Sequence, residues 1–342
     1  MSPKFSGVSG RSLAVAAALL ASTVALTSCS GGSETEGDST DSTWETVTTT
    51  GAFGDAVVTE QPERVLALST TDADMLFSVG VASIAVPSMP QTDAATNGTS
   101  MYPWQVPLYP AGTPKIDAST TEVNVEAIAE AAPDLIVATA FWGLTDATYA
   151  HLAAIAPVVH YDTEANADGW QESTRKIAEA VGRVGEADEA ISDADEKVER
   201  VSVDHPELVG KTFNAVISPS PDEIYILCSE EDNMGRVMAD FGLKLSDYAQ
   251  SVECDGGKAA ISWENVPQLD ADLLWVIPDN PEQLGVLTDN PLWNALPAVQ
   301  RGAYFVVPKT EGVPFAIAFP SPLSLSWAVD QLAPQVAEAS AQ

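Results

Sequence analysis

The chain has 342 residues, 45% of them hydrophobic, and 15 basic against 49 acidic residues give it a formal net charge of −34. At the usual ~100–200 residues per domain, this length supports two compact units, each with its own core. A field of that sign repels nucleic acid and anionic lipid surfaces, and it works against capture of strongly anionic ligands.

Residues 1–28 have the form of a secretion signal, with Lys4 and Arg11 as its positive end. The apolar run Leu13 to Leu26 has 14 residues, short of the ~20 that span a bilayer as a helix. Cleavage is therefore expected, and loss of Lys4 and Arg11 takes the formal charge from −34 to −36. Leu26-Thr27-Ser28-Cys29 is similar to a bacterial lipobox, which places a diacylglyceryl group on the Cys29 thiol; an ordinary signal peptide with a chance cysteine is the alternative. The Gly-, Ser-, Thr-, Glu- and Asp-rich tract that follows cannot bury enough apolar surface to fold. Residues 29–55 are expected to be a lipid-anchored flexible tether.

Beyond it, short apolar runs alternate with segments of helical spacing. Strands are predicted at 64–68, 84–86, 134–139, 158–161, 212–218, 223–227, 273–277 and 303–307, and helices at 71–79, 124–131, 145–155, 235–241 and 291–296. The runs DLIVA and DLLWV, at 134–138 and 272–276, are continuous, as in strands buried on both faces. In mid-chain, 169–180 reads as one helix, Gly182 and Gly185 interrupt it, and 186–203 resumes as a Glu-, Ala-, Asp- and Lys-rich helix that ends before Pro206. That second helix would span about 27 Å, enough to cross between two small lobes. The pattern predicts an α/β fold of two Rossmann-like lobes with mainly parallel sheets joined by one long spanning helix. The expected boundaries are an N-lobe at 56–168, a linker with the spanning helix at 169–206 and a C-lobe at 207–342.

One phrase is written twice. NVEAIAEAAPDLIVA (Asn124 to Ala138) and SWENVPQLDADLLWV (Ser262 to Val276) align without gaps, pairing Glu126 with Glu264, Ile128 with Val266, Asp134 with Asp272 and Leu135 with Leu273. In each copy a glutamate sits in the first turn of a short helix, where the helix dipole favours a carboxylate, and an Asp leads into a buried strand. A first-turn glutamate commonly does no more than stabilise its helix; recurrence at corresponding corners of two lobes points to a shared task.

Apart from Cys29, only Cys228 and Cys254 are present. An even pair in an exported chain predicts a disulfide contributing roughly 3 kcal/mol in the chain-entropy model, with two free thiols as the alternative. There is no G-x-S-x-G elbow, no H-E-x-x-H and no Gly-rich phosphate loop with Lys, which leaves a surface-anchored hydrolase as the less favoured class. Three His without a cluster at zinc spacing predict no metal site.

Taken in order and spacing, several phrases carry a resemblance: PERVLALSTTDADMLFSVGV (62–81), NVEAIAEAAPDLIVA, LAAIAPVV (152–159), AVGRVGEADEAI (180–191), ISWENVPQLDADLLWV and NPLWNALPAVQRGAYFVVP (290–308). Together they resemble an iron-siderophore substrate-binding lipoprotein of an ABC importer, in the class whose lobes are joined by one rigid helix. The resemblance covers about 62–334. It implies a monomer without cofactor or turnover, held by Cys29 on the extracytoplasmic face of a bacterial cell membrane, that captures a ferric siderophore between its lobes. It further implies that Glu126 and Glu264 each dock onto an arginine cluster of a two-fold permease dimer, through charge-assisted bonds that orient as well as attract.

A two-lobed α/β binder holds its ligand between the lobes, outside the carboxyl ends of the strands. Candidates there are Tyr102, Trp104, Phe141 and Trp142 on the N-lobe and Tyr225, Arg236 and Phe315 on the C-lobe. Aromatics suit the ring and hydrocarbon surfaces of a siderophore, and a guanidinium suits the oxygens around iron. For each aromatic, ordinary packing is the competing role; for Arg236 it is a plain surface position. Few basic residues flank these loops, which favours a neutral ferric hydroxamate or mixed-type siderophore over a tris-catecholate with about three negative charges. The siderophore would chelate the iron, and the protein would supply no metal ligand. Haem is the closest competitor, through Tyr149, His151 or His160 as axial groups, although Tyr149 and His151 are two apart on a predicted helix and point different ways. Cobalamin is a third ligand carried by proteins of similar architecture.

Overall fold

The computed structural model describes residues 44–91, 93–118 and 122–342; the expected signal segment and Cys29 lie outside the described residues. Strand β1 (Val47–Thr49) pairs antiparallel with β2 (Ala56–Val58), with Thr48 opposite Val57. Trp44 donates its indole N–H to the Val58 carbonyl at 3.1 Å. Its ring lies over Gly182, where an added Cβ would come within 2.7 Å of it. Gly182 also has φ +69°, a conformation glycine adopts without strain. Residues 44–55 are therefore part of the fold, which corrects the tether expected over 29–55. The β-branched run at 47–49 finds a cross-strand partner that a polar composition does not reveal.

The N-lobe continues with β3 (Val65–Ala67), α1 (Thr70–Ser78), β4 (Val86–Ser88), β5 (Lys115–Asp117), α2 (Val125–Ala131), β6 (Leu135–Ala138), α3 (Asp146–Ala153), β7 (Val158–His160) and α4 (Trp170–Val181). A parallel sheet of order β3-β6-β7 forms its centre, and β4 and β5 make a parallel pair. All of β6 is buried, and its alternate side chains serve two cores, as the two-residue period of a strand requires. Leu135 and Val137 pack with Met75, Leu76 and Ile177; Ile136 and Ala138 pack with Leu66, Ile128 and Leu152. Helix α4, expected in the linker, packs on α1, β1 and β7 and belongs to this lobe.

Helix α5 (Val184–Asp204) has 21 residues, a length of about 31 Å. Its buried stripe is Ala187, Ile191, Ala194, Val198 and Val201, at spacings of three and four. Ala187 and Ile191 enter the N-lobe core, whereas Val198 and Val201 enter the C-lobe core. One apolar stripe is thus shared by two cores, and bending the helix would uncover both.

The C-lobe contains β8 (Thr212–Ile217), β9 (Ile224–Leu227), α6 (Asn233–Asp240), β10 (Lys244–Leu245), α7 (Asp247–Ser251), β11 (Lys258–Ile261), β12 (Leu273–Ile277), α8 (Leu284–Thr288), α9 (Pro291–Asn294), α10 (Pro297–Gln300), β13 (Tyr304–Val306), α11 (Val313–Ala318) and α12 (Pro322–Ser340). Its sheet runs β11-β9-β8-β12-β13 with β10 on β8. Strands β8, β10, β12 and β13 are parallel, and β9 runs antiparallel to both its neighbours, β8 and β11. The sequence pattern does not predict α12, whose 19 residues include Pro334, a residue that usually ends a helix. This helix packs on both α5 and α1, so it bridges the lobes a second time.

Candidate ligand cleft

Between the lobes lies a cleft of about 550 Å³, within the range of small-molecule sites. Trp142 and the loop after β7 form the N-lobe wall; the start of α6, Lys258 and the segment Ala318 to Pro320 form the C-lobe wall; Asp195 and Val198 of α5 lie at its base. Two large aromatics face it while still solvent-exposed, Trp142 at 59% and Phe319 at 36%. Exposure of such side chains to water costs solvation free energy that a bound ligand would recover.

The fold places both deliberately. Trp142 follows β6, whose end is held by the buried carboxylate of Asp72 on α1. That carboxylate accepts the Thr139 and Ala140 amides at 2.8 and 3.1 Å, the Thr139 hydroxyl at 2.6 Å and, on its other oxygen, the Ser69 hydroxyl at 2.5 Å. Burial raises the Asp72 pKa, and these donors oppose the rise. Phe319 sits between α11 and α12. Asn233 donates to the Ala318 carbonyl at 2.9 Å, and Ser321 and Ser324 form a capping box at the start of α12.

On the C-lobe wall Asp232 caps α6 by accepting the Met234 amide at 2.9 Å and lies 3.7 Å from the Lys258 ammonium. Arg236 lines the cleft one turn further on and forms no ion pair within 4.0 Å among the described residues. Cys228 and Cys254 are bridged, with Cα atoms 5.8 Å apart. The bridge ties together the two rim segments that carry Glu231 and Asp232 on one side and Gly256 and Lys258 on the other.

Of the seven side chains expected at the ligand, Trp142 and Arg236 line this cleft. Tyr102 and Trp104 are each 6% exposed, stacked at 4.7 Å and 9°. Phe315 packs on Tyr102 at 5.7 Å and Trp327 on Trp104 at 5.1 Å. The Trp104 indole and the Gln105 amide donate to the two oxygens of Asp74 at 2.7 and 2.5 Å. The loop between β4 and β5 is thereby fastened into the C-lobe core, which corrects Tyr102, Trp104 and Phe315 from ligand contacts to an interlobe clasp. Burial pushes the Asp74 pKa up to about 7, against hydrogen bonds from Gln105, Trp104 and Ser321. Phe141 points into the N-lobe core beside Leu144 and Tyr161. Tyr225 is 39% exposed and donates to Glu223 at 3.0 Å; Ile224 and Ile226 take the inner face of β9, so alternation turns Tyr225 outward. Phe319, Asp195, Asp240 and Lys258 line the cleft without having been expected there. Phe319 had a legible signal, an aromatic one helical turn beyond Phe315; the two aspartates were hidden among many acidic helix positions.

A family model for periplasmic binding proteins matches residues 65–310, from β3 through β13 and so across both lobes. The chain belongs to the periplasmic binding protein family. Among its relatives are two proteins of Bacillus subtilis, "Fe(3+)-citrate-binding protein YfmC", 21% identical with 87% of this chain and 89% of the relative covered, and "Probable siderophore-binding lipoprotein YfiY", 26% identical with 83% and 86% covered. The crystal structure of a periplasmic solute binding protein from Mycobacterium smegmatis superimposes with a TM-score of 0.72 at 28% identity, covering 86% of this chain and 99% of that one.

In this binding protein the duplicated phrase has a clear structural part. Ile128 and Val266 are both fully buried, as are Leu135 and Leu273, while Glu126 and Glu264 are exposed. Glu126 is in the first turn of α2, capped by Asn124 accepting the Ala127 amide at 3.0 Å. Glu264 is in the first turn of a 3-10 helix, Trp263–Leu269, where Pro267 prevents the α-helix expected by analogy.

The imidazole of His160 is fully engaged. Its Nε2 accepts the Phe53 amide at 3.0 Å, and its Nδ1 donates to the Val158 carbonyl at 2.9 Å. A backbone amide only donates and a carbonyl only accepts, so the tautomer is fixed and neither nitrogen is open to an axial metal bond. Tyr149 packs against this ring at 5.0 Å.

Proposed function

We propose that this binding protein captures a ferric siderophore of hydroxamate or mixed type in the interlobe cleft and delivers it to the permease dimer of an ABC importer. The observation that carries the reading is the pair Trp142 and Phe319, exposed on opposite lobes across a ligand-sized cleft that the guanidinium of Arg236 also lines. Relatives named for ferric citrate and for siderophores support iron chelates as the ligand class. Glu126 and Glu264 act as the paired docking carboxylates, and Cys29 carries the lipid that holds the protein on the extracytoplasmic face of the membrane. Iron stays within its chelator, and the protein contributes shape, aromatic surface and hydrogen bonds.

The test is quenching of intrinsic fluorescence, since Trp142 and Trp170 both line the cleft. The purified protein is titrated with ferric hydroxamates, mixed chelators, ferric catecholates, ferric citrate, haem and cobalamin. Saturable quenching by ferric hydroxamates or mixed chelators is expected. Saturation by haem or cobalamin alone would overturn the reading.

A further inference from the structure

We infer that the cleft selects ferric hydroxamates that carry a pendant positive charge, such as a protonated primary amine, over neutral and anionic ferric chelates. This rests on the cleft being the ligand site, which is defined by the two lobes, Trp142, Phe319 and Arg236; the carboxylates around it decide only what it accepts.

The charges on the wall do not balance. Asp168, Asp195, Glu231, Asp232 and Asp240 line the cleft against Arg236 and Lys258. Lys258 is already placed near Asp232, and Asp168 is occupied in accepting the Asp162 amide at 2.7 Å. Asp195, Glu231 and Asp240 have no cation within 4.0 Å among the described residues, and Asp195 receives only the Gln171 amide at 3.3 Å. Asp195 on α5 and Asp240 on α6 line the same cleft; burial first, then the charges of Asp195 and Glu199, raises the Asp240 pKa, while Arg236 lowers it. Like charges held together in this way favour a cation placed between them.

The two polar features then divide the ligand. Arg236 donates to the oxygens around the ferric centre, as a guanidinium does to any cluster of acceptors. A neutral tris-hydroxamate core leaves that interaction free of net repulsion from the wall. An ammonium on a chain extending from the core reaches Asp195 and Asp240 and forms charge-assisted hydrogen bonds there. An anionic chelate meets the uncompensated carboxylates instead, and like-charge juxtaposition opposes it.

The experiment compares two ferric complexes of one linear trihydroxamate, with its terminal amine free or N-acetylated, so that only one charge differs; ferric citrate is the anionic reference. At low ionic strength the free-amine complex is expected to bind about tenfold more tightly than its acetylated form, with the ratio shrinking at high salt. In a variant with Asp195→Asn and Asp240→Asn, checked by circular dichroism, the two complexes are expected to bind alike. The salt dependence of the unaltered protein keeps the test open should that variant fail to fold. Equal or tighter binding of the acetylated form, or tighter binding of ferric citrate, overturns the inference while leaving the siderophore reading intact. Failure of every ferric chelate to bind overturns both.

Discussion

Asp134 and Asp272, equivalent positions of the duplicated phrase, make the same bond in the two lobes. Asp134 accepts the amide of Arg64, the residue before β3, at 2.9 Å, and Asp272 accepts the amide of Thr212, the first residue of β8, at 2.8 Å. The partner strands are in equivalent register, Val65 beside Leu135 and Phe213 beside Leu273. An arginine answers in each lobe, Arg64 donating to the Ala132 carbonyl and Arg301 to that of Ala271. The repeat is in the first place a device for starting two parallel strands side by side.

Replacing Asp272 with Ala is expected to cost about 1 kcal/mol, the value of a partly exposed charge-assisted bond. The Thr212 amide holds the Asp272 pKa below its ordinary 3.8. A depressed carboxylate contributes stability above its unfolded pKa that is lost as pH falls through the folded value. Urea midpoints below pH 3.8 should therefore converge for the protein and the variant; a constant gap there would refute this assignment.

Removing both Glu126 and Glu264 as alanines is expected to leave ligand affinity unchanged and abolish uptake. Both side chains are exposed, so the melting temperature should not move. Uptake at the normal rate in cells carrying the double variant would exclude the docking role.

Trp142→Ala and Phe319→Ala are each expected to raise the Kd about tenfold, the usual scale for a central aromatic contact. With Trp142 59% exposed, its loss should leave thermal stability nearly unchanged. Trp104→Ala should do the reverse, lowering stability by about 3–5 kcal/mol through a buried cavity. A shared phenotype for Trp142 and Trp104 would contradict the separation of cleft from clasp.

Asp74 makes stability depend on pH with the opposite sign. Its folded pKa of about 7 lies above the ordinary 3.8, so its contribution is fully present below about pH 3.8 and is lost as pH rises through about 7. Asp74→Asn is expected to flatten that decline, measured as denaturant midpoints across the interval and compared with the unaltered protein. Parallel curves would show that Asp74 does not titrate there.

Much of the fold was legible because it is local. Continuous apolar runs marked β3, β6, β8 and β12, and acidic, Ala-rich spacing marked α5. Strands β5, β10 and β11 each open on a lysine and hold no run of large apolar residues, and β1 and β2 are legible only as partners of one another. At the site, Trp142 was legible because it follows a buried strand at its carboxyl end. For Tyr102, Trp104 and Phe315, which pack on one another, residue type does not distinguish an aromatic facing a ligand from one facing another aromatic.

Two α/β lobes, the helix between them, the duplicated phrase with Glu126 and Glu264 at its corners, and Cys228 with Cys254 as the available bridge are all written in the order of residues along the chain. These follow from period, spacing and count, which are properties of neighbouring residues. The three-dimensional packing adds that the loop after β4 crosses into the other lobe, that Asp72 and Asp74 lie buried with no ion pair among the described residues, and that Phe319 and several carboxylates share a cleft with Trp142. Those outcomes depend on which surfaces meet when α12 and α5 pack together, and contacts between residues far apart in the chain leave no periodic trace in it.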